Sequence, residues 1–249
     1  MHLLLISHKE MSNYIDILPK EKVDGWKGVS ERFSHIILQS DYSQTYEIIT
    51  NVIKKDKESW ESFSKKNKSF FDEVTKTQTF KKVFVNSNEA EIKNIVEGCY
   101  PLHPITSYIL PRLSEKIAQN ERTMFTFLSS NEKKTLPSFI KNIDFETSNG
   151  IVFITPDLLF DYFENQMRAE PYTSPIKNYY NISKKILAEL ENNSLESKII
   201  KTLTLIYCLN QFERLQPTDQ VIKDIYVNSG YSVKEIAAAL SKLQYDNNS

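Results

Sequence analysis

The chain has 249 residues, 40% of them hydrophobic and 25% charged, and a formal net charge of −1 at pH 7. That much apolar surface can build a real core, and the near-neutral balance gives no bulk attraction to nucleic acid or to a membrane surface. Two cysteines, Cys99 and Cys208, are too few for a disulfide framework or a zinc ligand set, and read as buried thiols of a reducing cytosol. The opening run Leu3-Leu4-Leu5-Ile6 is too short for a signal-peptide core, and no later stretch approaches the roughly 20 apolar residues of a membrane span. A cytoplasmic protein is therefore expected. Five glycines in the whole chain argue against a sheet-rich fold and for helices.

In chain order, residues 3–6 have the continuous apolar pattern of a strand buried on both faces, and His35-Ile36-Ile37-Leu38 repeats it. A strand, a helical crossover and a second strand make a βα unit. A doubly buried strand at residue 3 needs neighbours, so the sheet is expected to be completed by further sequence or by a partner chain. Residues 42–82 are polar and Lys-rich with spaced aromatics (Trp60, Phe63, Phe70, Phe71 and Phe80), which predicts amphipathic helices with the rings inward. The run Lys65-Lys66-Asn67-Lys68 reads as a solvated helix face.

Residues 89–98 predict a short helix leading into Cys99-Tyr100-Pro101-Leu102-His103-Pro104. A helix then starts near Pro104, with Ile105, Ile109, Leu113 and Ile117 recurring every four residues; Pro111 inside it predicts a kink or break. His103 reads as a packed residue rather than a general base. Residues 121–128 give another helix, and Ser129 with Glu132 has capping-box spacing for the next. Residues 151–154 form a strand candidate. Thr155-Pro156-Asp157 is a helix start with a Thr cap, proline in the first turn and an acid at the positive end. The remainder is helical, over 176–191, 195–212, 217–228 and 232–243. The last has a Ser232/Glu235 capping box and one apolar face of Val233, Ile236, Ala237, Leu240 and Leu243. The final three helices form a helix-turn-helix-like core.

Three stretches fall in a telling order. Ser7-His8-Lys9 follows the first strand, Gly28-Val29-Ser30-Glu31-Arg32-Phe33 precedes the second, and a long segment runs from Tyr100 through Leu110-Pro111-Arg112 to Gln119-Asn120-Glu121-Arg122. Together they resemble the part of an AAA+ P-loop ATPase downstream of its Walker motifs, of the origin-recognition-like kind that includes large bacterial anti-phage proteins. The resemblance implies Ser7 as the sensor 1 residue at the γ-phosphate or attacking water. It implies Arg32 as the arginine finger, pointing into a neighbouring subunit's nucleotide site. Arg122 takes the sensor 2 place, contacting the γ-phosphate in cis, with Arg112 as the rival; Gln119-Asn120 stands where related lids have Gly-Asp.

The resemblance thus implies a mainly α protein in three parts: 1–41, an α/β core remnant; 42–150, a helical lid region; and 151–249, a helical, partial winged-helix-like domain. No Gly-x4-Gly-Lys-Ser/Thr and no apolar strand ending in Asp-Glu occurs, so no nest of backbone N–H groups cradles phosphate and no Walker carboxylate holds magnesium. The chain is not expected to hydrolyse ATP by itself. ATP and Mg enter only within a complete ATPase, with the P-loop supplied by missing sequence or a partner, or in an assembly of identical copies. Ser7-His8 is no hydrolase pair, since adjacent strand residues face opposite ways and no Gly-x-Ser-x-Gly elbow exists. The competing reading is a nucleic-acid- or protein-binding module, with Lys234 and Lys242 on the last helix as the DNA-phosphate candidates.

Overall fold

The structure, a computed structural model, describes residues 42–118, 121–142, 146–147, 150–227 and 229–245. The expected strands at 3–6 and 35–38 lie outside them. Among the described residues the chain is mainly helical, as composition and periodicity predict. The helices are α1 (Tyr42–Val52), α2 (Lys57–Lys66), α3 (Lys68–Lys76), α4 (Gln78–Val83), α5 (Glu89–Lys93), α6 (Pro104–Leu113), α7 (Glu121–Ser129), α8 (Leu136–Ile140), α9 (Asp157–Ala169), α10 (Pro175–Glu189), α11 (Leu195–Leu209), α12 (Asp219–Val227) and α13 (Val233–Tyr245). Two π-helical turns, Asn94–Gly98 and Ser114–Ala118, extend α5 and α6.

Sheet structure is slight. Glu146–Thr147 (β1) pairs antiparallel with Gly150–Ile151 (β2), and Ile154 makes a parallel bridge to Leu102. The strand expected at 151–154 is therefore split between two short contacts. Its backbone ties the two halves of the chain together: His103 N–H donates to the Ile154 carbonyl at 2.9 Å, and Ile154 N–H to the Pro101 carbonyl at 2.8 Å.

Helix α6 is the centre of the core. Every residue from Pro104 to Pro111 is buried, together with Leu113. Its buried flanks face α1 and α7 on one side and α11 on the other. Of the expected kink or break at Pro111, the break does not occur. The helix runs through the proline and passes into the π turn at Ser114, because packing on all sides outweighs the one lost backbone bond.

The aromatics of 42–82 do turn inward. Trp60, Phe63 and Phe71 gather around Tyr100, with ring centroids 5.6, 5.4 and 5.7 Å from it, and Phe153 closes the group at 5.5 Å. Lys65, Lys66 and Lys68 are exposed, as read from the sequence. Helix α1 presses close to the first π turn. A side chain at Gly98 would meet Thr50 Oγ1 at 2.3 Å, so only glycine permits this approach.

Caps fix most of the helix ends. Asp56 accepts from Ser59 N–H at 3.0 Å, and Asn88 with Glu91 makes a capping box. The Ser232/Glu235 box forms as predicted, with bonds of 2.8 and 3.3 Å. Helix α11 stops at Asn210 in the left-handed conformation. Helix α12 ends in a Schellman turn: Gly230 has φ +90°, Tyr231 N–H reaches the Tyr226 carbonyl, and the two rings meet at 5.9 Å.

Other local expectations change. Ser129 closes α7 instead of opening a helix, and α8 starts after Thr135. Thr155 does not cap α9; its hydroxyl bonds the Asp157 carboxylate instead. On α13 the buried face is Ile236, Ala239, Leu240 and Leu243, while Val233 and Ala237, one turn apart, are exposed, so the buried stripe is turned from the one expected.

A side-chain tie between residues far apart in sequence joins α4 to α12. The Asp224 carboxylate accepts from Thr79 N–H at 3.0 Å and from the Thr79 hydroxyl at 2.6 Å, serving as a cap brought in from 145 residues away. Asp224→Ala removes this cap from the first turn of α4, and is expected to lower unfolding stability by about 1–2 kcal/mol. Urea denaturation followed by circular dichroism measures it; an unchanged midpoint would show the tie to be idle.

Candidate functional site

Helices α7 and α9 are amphipathic, and their polar faces converge. On α7, Arg122 and Thr126 stand one turn apart beside Thr123; on α9, Asp161 and Asn165, and Tyr162 and Gln166, repeat the four-residue spacing. The turn carrying Glu132, Lys133 and Lys134 closes the third side. These residues line an open, polar cleft of about 390 Å³. That volume lies near the lower end of small-molecule sites.

The turn is held firmly. The Thr135 hydroxyl, fully buried, shares its one proton between the carbonyls of Ser130 at 2.6 Å and Glu132 at 2.7 Å. Lys134 adopts φ +66°, a conformation that L-residues adopt at some cost. Tyr162 spans the floor, its hydroxyl donating to the Thr123 carbonyl at 3.0 Å and its ring packed against Phe127 at 5.1 Å.

Charge in the cleft is partly committed. Lys201 grips Asp161 from behind at 2.8 Å, and Lys134 pairs with Glu164 at 3.2 Å. Glu164 also receives Lys184 at 3.1 Å; burial alone would push its carboxyl up, but the two lysines together hold it below its ordinary value. Arg122, Glu132 and Lys133 also line the opening. The Thr126 hydroxyl already donates to the Arg122 carbonyl at 2.9 Å, so the cationic side chains with the Asn165 amide as a neutral donor are what suit an anionic group.

Among the described residues, the sequence-predicted ones are not brought together. Ser7 and Arg32 lie outside the described residues. Arg122 lines the cleft on the exposed first turn of α7. Arg112 is elsewhere: its guanidinium sits between the rings of Tyr42 and Tyr108, 3.7 Å from each centroid, and one nitrogen donates to Tyr46 Oη at 3.1 Å and the Tyr108 carbonyl at 2.9 Å. Lys234 is exposed on α13, and Lys242 pairs with Glu196 of α11 at 3.3 Å. Lys133, Asn165 and Gln166 were not singled out from sequence; the signal was the four-residue spacing of polar residues on α9.

The titratable groups in the core have structural environments. Burial pushes the Cys99 and Cys208 thiols up to about 11 and about 12, so both are inert at neutral pH. Burial lowers Lys55 to about 8, where it donates to the Gly98 carbonyl and covers the Trp60 ring. Asp157 is pushed up by burial among Thr155, Tyr226 and Thr202. Among the described residues no group of three or more His, Cys, Asp or Glu is placed to hold a metal ion.

His103 caps α6: its Nδ1 accepts from Ile105 N–H at 3.1 Å, and its ring meets Phe153 edge to face at 5.4 Å. The cap needs an unprotonated Nδ1. Burial drives the ring down to about 3, with the Asp224 backbone pulling weakly the other way. Above its ordinary value of 6.5 both folded and unfolded chains keep the ring neutral. Below it the unfolded chain takes up a proton that the fold refuses, so stability falls as pH drops from 6.5 towards 3. The loss from this group reaches about 2 kcal/mol at pH 5. His103→Asn keeps a cap acceptor and is expected to flatten that slope in urea titrations run between pH 7 and pH 5; an equal slope in the variant would refute the assignment.

Arg112→Met is expected to cost about 2–3 kcal/mol of stability through the lost ring contacts and hydrogen bonds, and to leave affinity for any ligand of the cleft unchanged. Chemical denaturation alongside ligand titration separates the two effects.

Compared with protein-family models, curated proteins and solved structures, the chain matches none.

Proposed function

We propose that the chain is the nucleotide-state-sensing helical portion of an AAA+-type ATPase, with Arg122 as its phosphate-contacting residue. One observation carries the reading: Arg122 opens onto a polar cleft shared with Lys133 and Lys134. Arg112 lies away from the cleft, its guanidinium between two tyrosine rings, whereas Arg122 lines it, which supports Arg122 over its rival. Without a P-loop the chain does not hydrolyse ATP. It responds to the nucleotide when a P-loop is supplied by further sequence or a partner, and Ser7 and Arg32 keep their roles as sensor 1 and arginine finger. A part in DNA-related or phage-defence assemblies follows from the family resemblance alone.

A second reading makes α12 and α13 a winged-helix-like binding module without nucleotide chemistry. The tight Gly230 turn and the capped start of α13 favour a helix-turn-helix shape. The exposed side of α13 offers Val233, Ala237 and Ala238 beside Lys234, and Lys242 is already paired, so this surface suits a protein contact better than DNA phosphate.

Titration of the chain with ATP is expected to give weak binding, on the order of millimolar, because side-chain cations without a backbone nest hold phosphate loosely. Arg122→Ala should weaken it by about tenfold, with no ATP hydrolysis by either protein. Affinity unaffected by the substitution would overturn the assignment of Arg122. Binding of duplex DNA that collapses as salt rises would support the second reading instead.

A further inference from the structure

Gln166 stands out among the residues of the cleft. Its Oε1 is buried from solvent and accepts no hydrogen bond from any described residue. The neighbouring polar groups of the cleft are spoken for: Asp161 by Lys201, Lys134 by Glu164, and the Tyr162 hydroxyl by the Thr123 carbonyl. A buried acceptor without a donor destabilises a fold, and such groups are uncommon unless something else satisfies them. Gln166 lies one helical turn beyond Tyr162 and beside Asn165, on the face of α9 that lines the opening. The terminal torsion of a glutamine amide is soft, so rotation of the amide can bring this acceptor to a bound molecule.

We infer that Gln166 is a specificity-determining residue of the cleft, reading a hydrogen-bond donor carried by the same ligand whose phosphate meets Arg122 and Lys133. This rests on the reading of the cleft as a phosphate site. The ligand is then a phosphate ester bearing a hydroxyl or amine, such as a nucleotide or sugar phosphate, rather than a bare inorganic polyphosphate. Its donor comes from a ribose hydroxyl or from a base amine; both satisfy the same acceptor. In the empty protein the acceptor is a cost, which the bound ligand relieves.

The test compares wild type, Gln166→Met and Arg122→Ala by calorimetric titration with ATP, ribose 5-phosphate and inorganic tripolyphosphate, together with thermal melting. Methionine keeps the length of the side chain and removes the acceptor. Gln166→Met is expected to weaken ATP binding about tenfold and to leave tripolyphosphate binding unchanged. In the absence of ligand its Tm should rise by about 2–4 °C, since an unsatisfied buried acceptor has gone. Ribose 5-phosphate weakened in parallel identifies a hydroxyl as the donor; an effect confined to ATP identifies the base amine. ATP binding unchanged by Gln166→Met, equal losses for ATP and tripolyphosphate, or a fall in Tm would overturn the inference while Arg122→Ala still reports on the phosphate site. If neither ATP nor tripolyphosphate binds, or Arg122→Ala alters neither, the phosphate reading itself fails and the assignment of Gln166 falls with it.

Discussion

Burying the helix Pro104–Leu113 on every side is the constraint on which the rest of this fold depends. A helix with no solvated face must satisfy its own ends inside the protein, because each unpaired buried polar group costs on the order of 1–3 kcal/mol. The first turn is met by two devices: Pro104 brings no N–H, and His103 accepts from Ile105; the buried Thr106 hydroxyl is satisfied in turn by donating to the Ile154 carbonyl at 2.8 Å. That last carbonyl also receives the His103 N–H. The few extended residues around Ile154 thus hold the start of the central helix, and joining the segments before and after residue 150 follows from that need.

Around this axis the helices divide their labour. Those from Tyr42 to Val83 supply aromatic bulk, packed about Tyr100 and Phe153, and the Arg112 sandwich fastens the start of α1 to the end of α6. Helix α11 lies across the other side of α6 and is itself covered by α9, α10 and α13. Side chains of opposite charge on neighbouring helices then lock the arrangement, Lys201 to Asp161 and Lys184 to Glu164. Exposed pairs of this sort contribute little to stability individually. Their greater effect is on the cleft, where they decide which charges face a ligand.

The cleft forms where polar residues of α7 and α9 flank the Phe127–Tyr162 ring contact that joins the two helices, with the turn at residues 130–135 beside them. The same contacts that neutralise Asp161 and occupy Lys134 leave a small, mixed site. That site is suited to recognising a compact anion with additional hydrogen-bonding groups, and poorly suited to a long polyanion such as duplex DNA. Its strained Lys134 backbone and its unsatisfied Gln166 acceptor are costs that packing elsewhere offsets.

Much of the local structure was legible in the sequence. Helix positions came from four-residue recurrence, and their ends from caps such as Ser232 with Glu235, because both depend on neighbours within a few residues. The inward turn of Trp60, Phe71 and Phe80 and the burial of both thiols followed from the same patterns. Where distant packing competes with a local preference, the sequence misled: Ser129 ended a helix, and Val233 and Ala237 turned outward. The site was legible at one residue, Arg122. Lys133, Asn165 and Gln166 join it only because two helices separated by nearly thirty residues bring their polar faces together. That placement, like the Asp224 cap on α4 and the rings enclosing Arg112, is a matter of long-range geometry. Local propensity fixes where a helix runs, and only the burial of its apolar face against particular partners fixes what its polar face will meet.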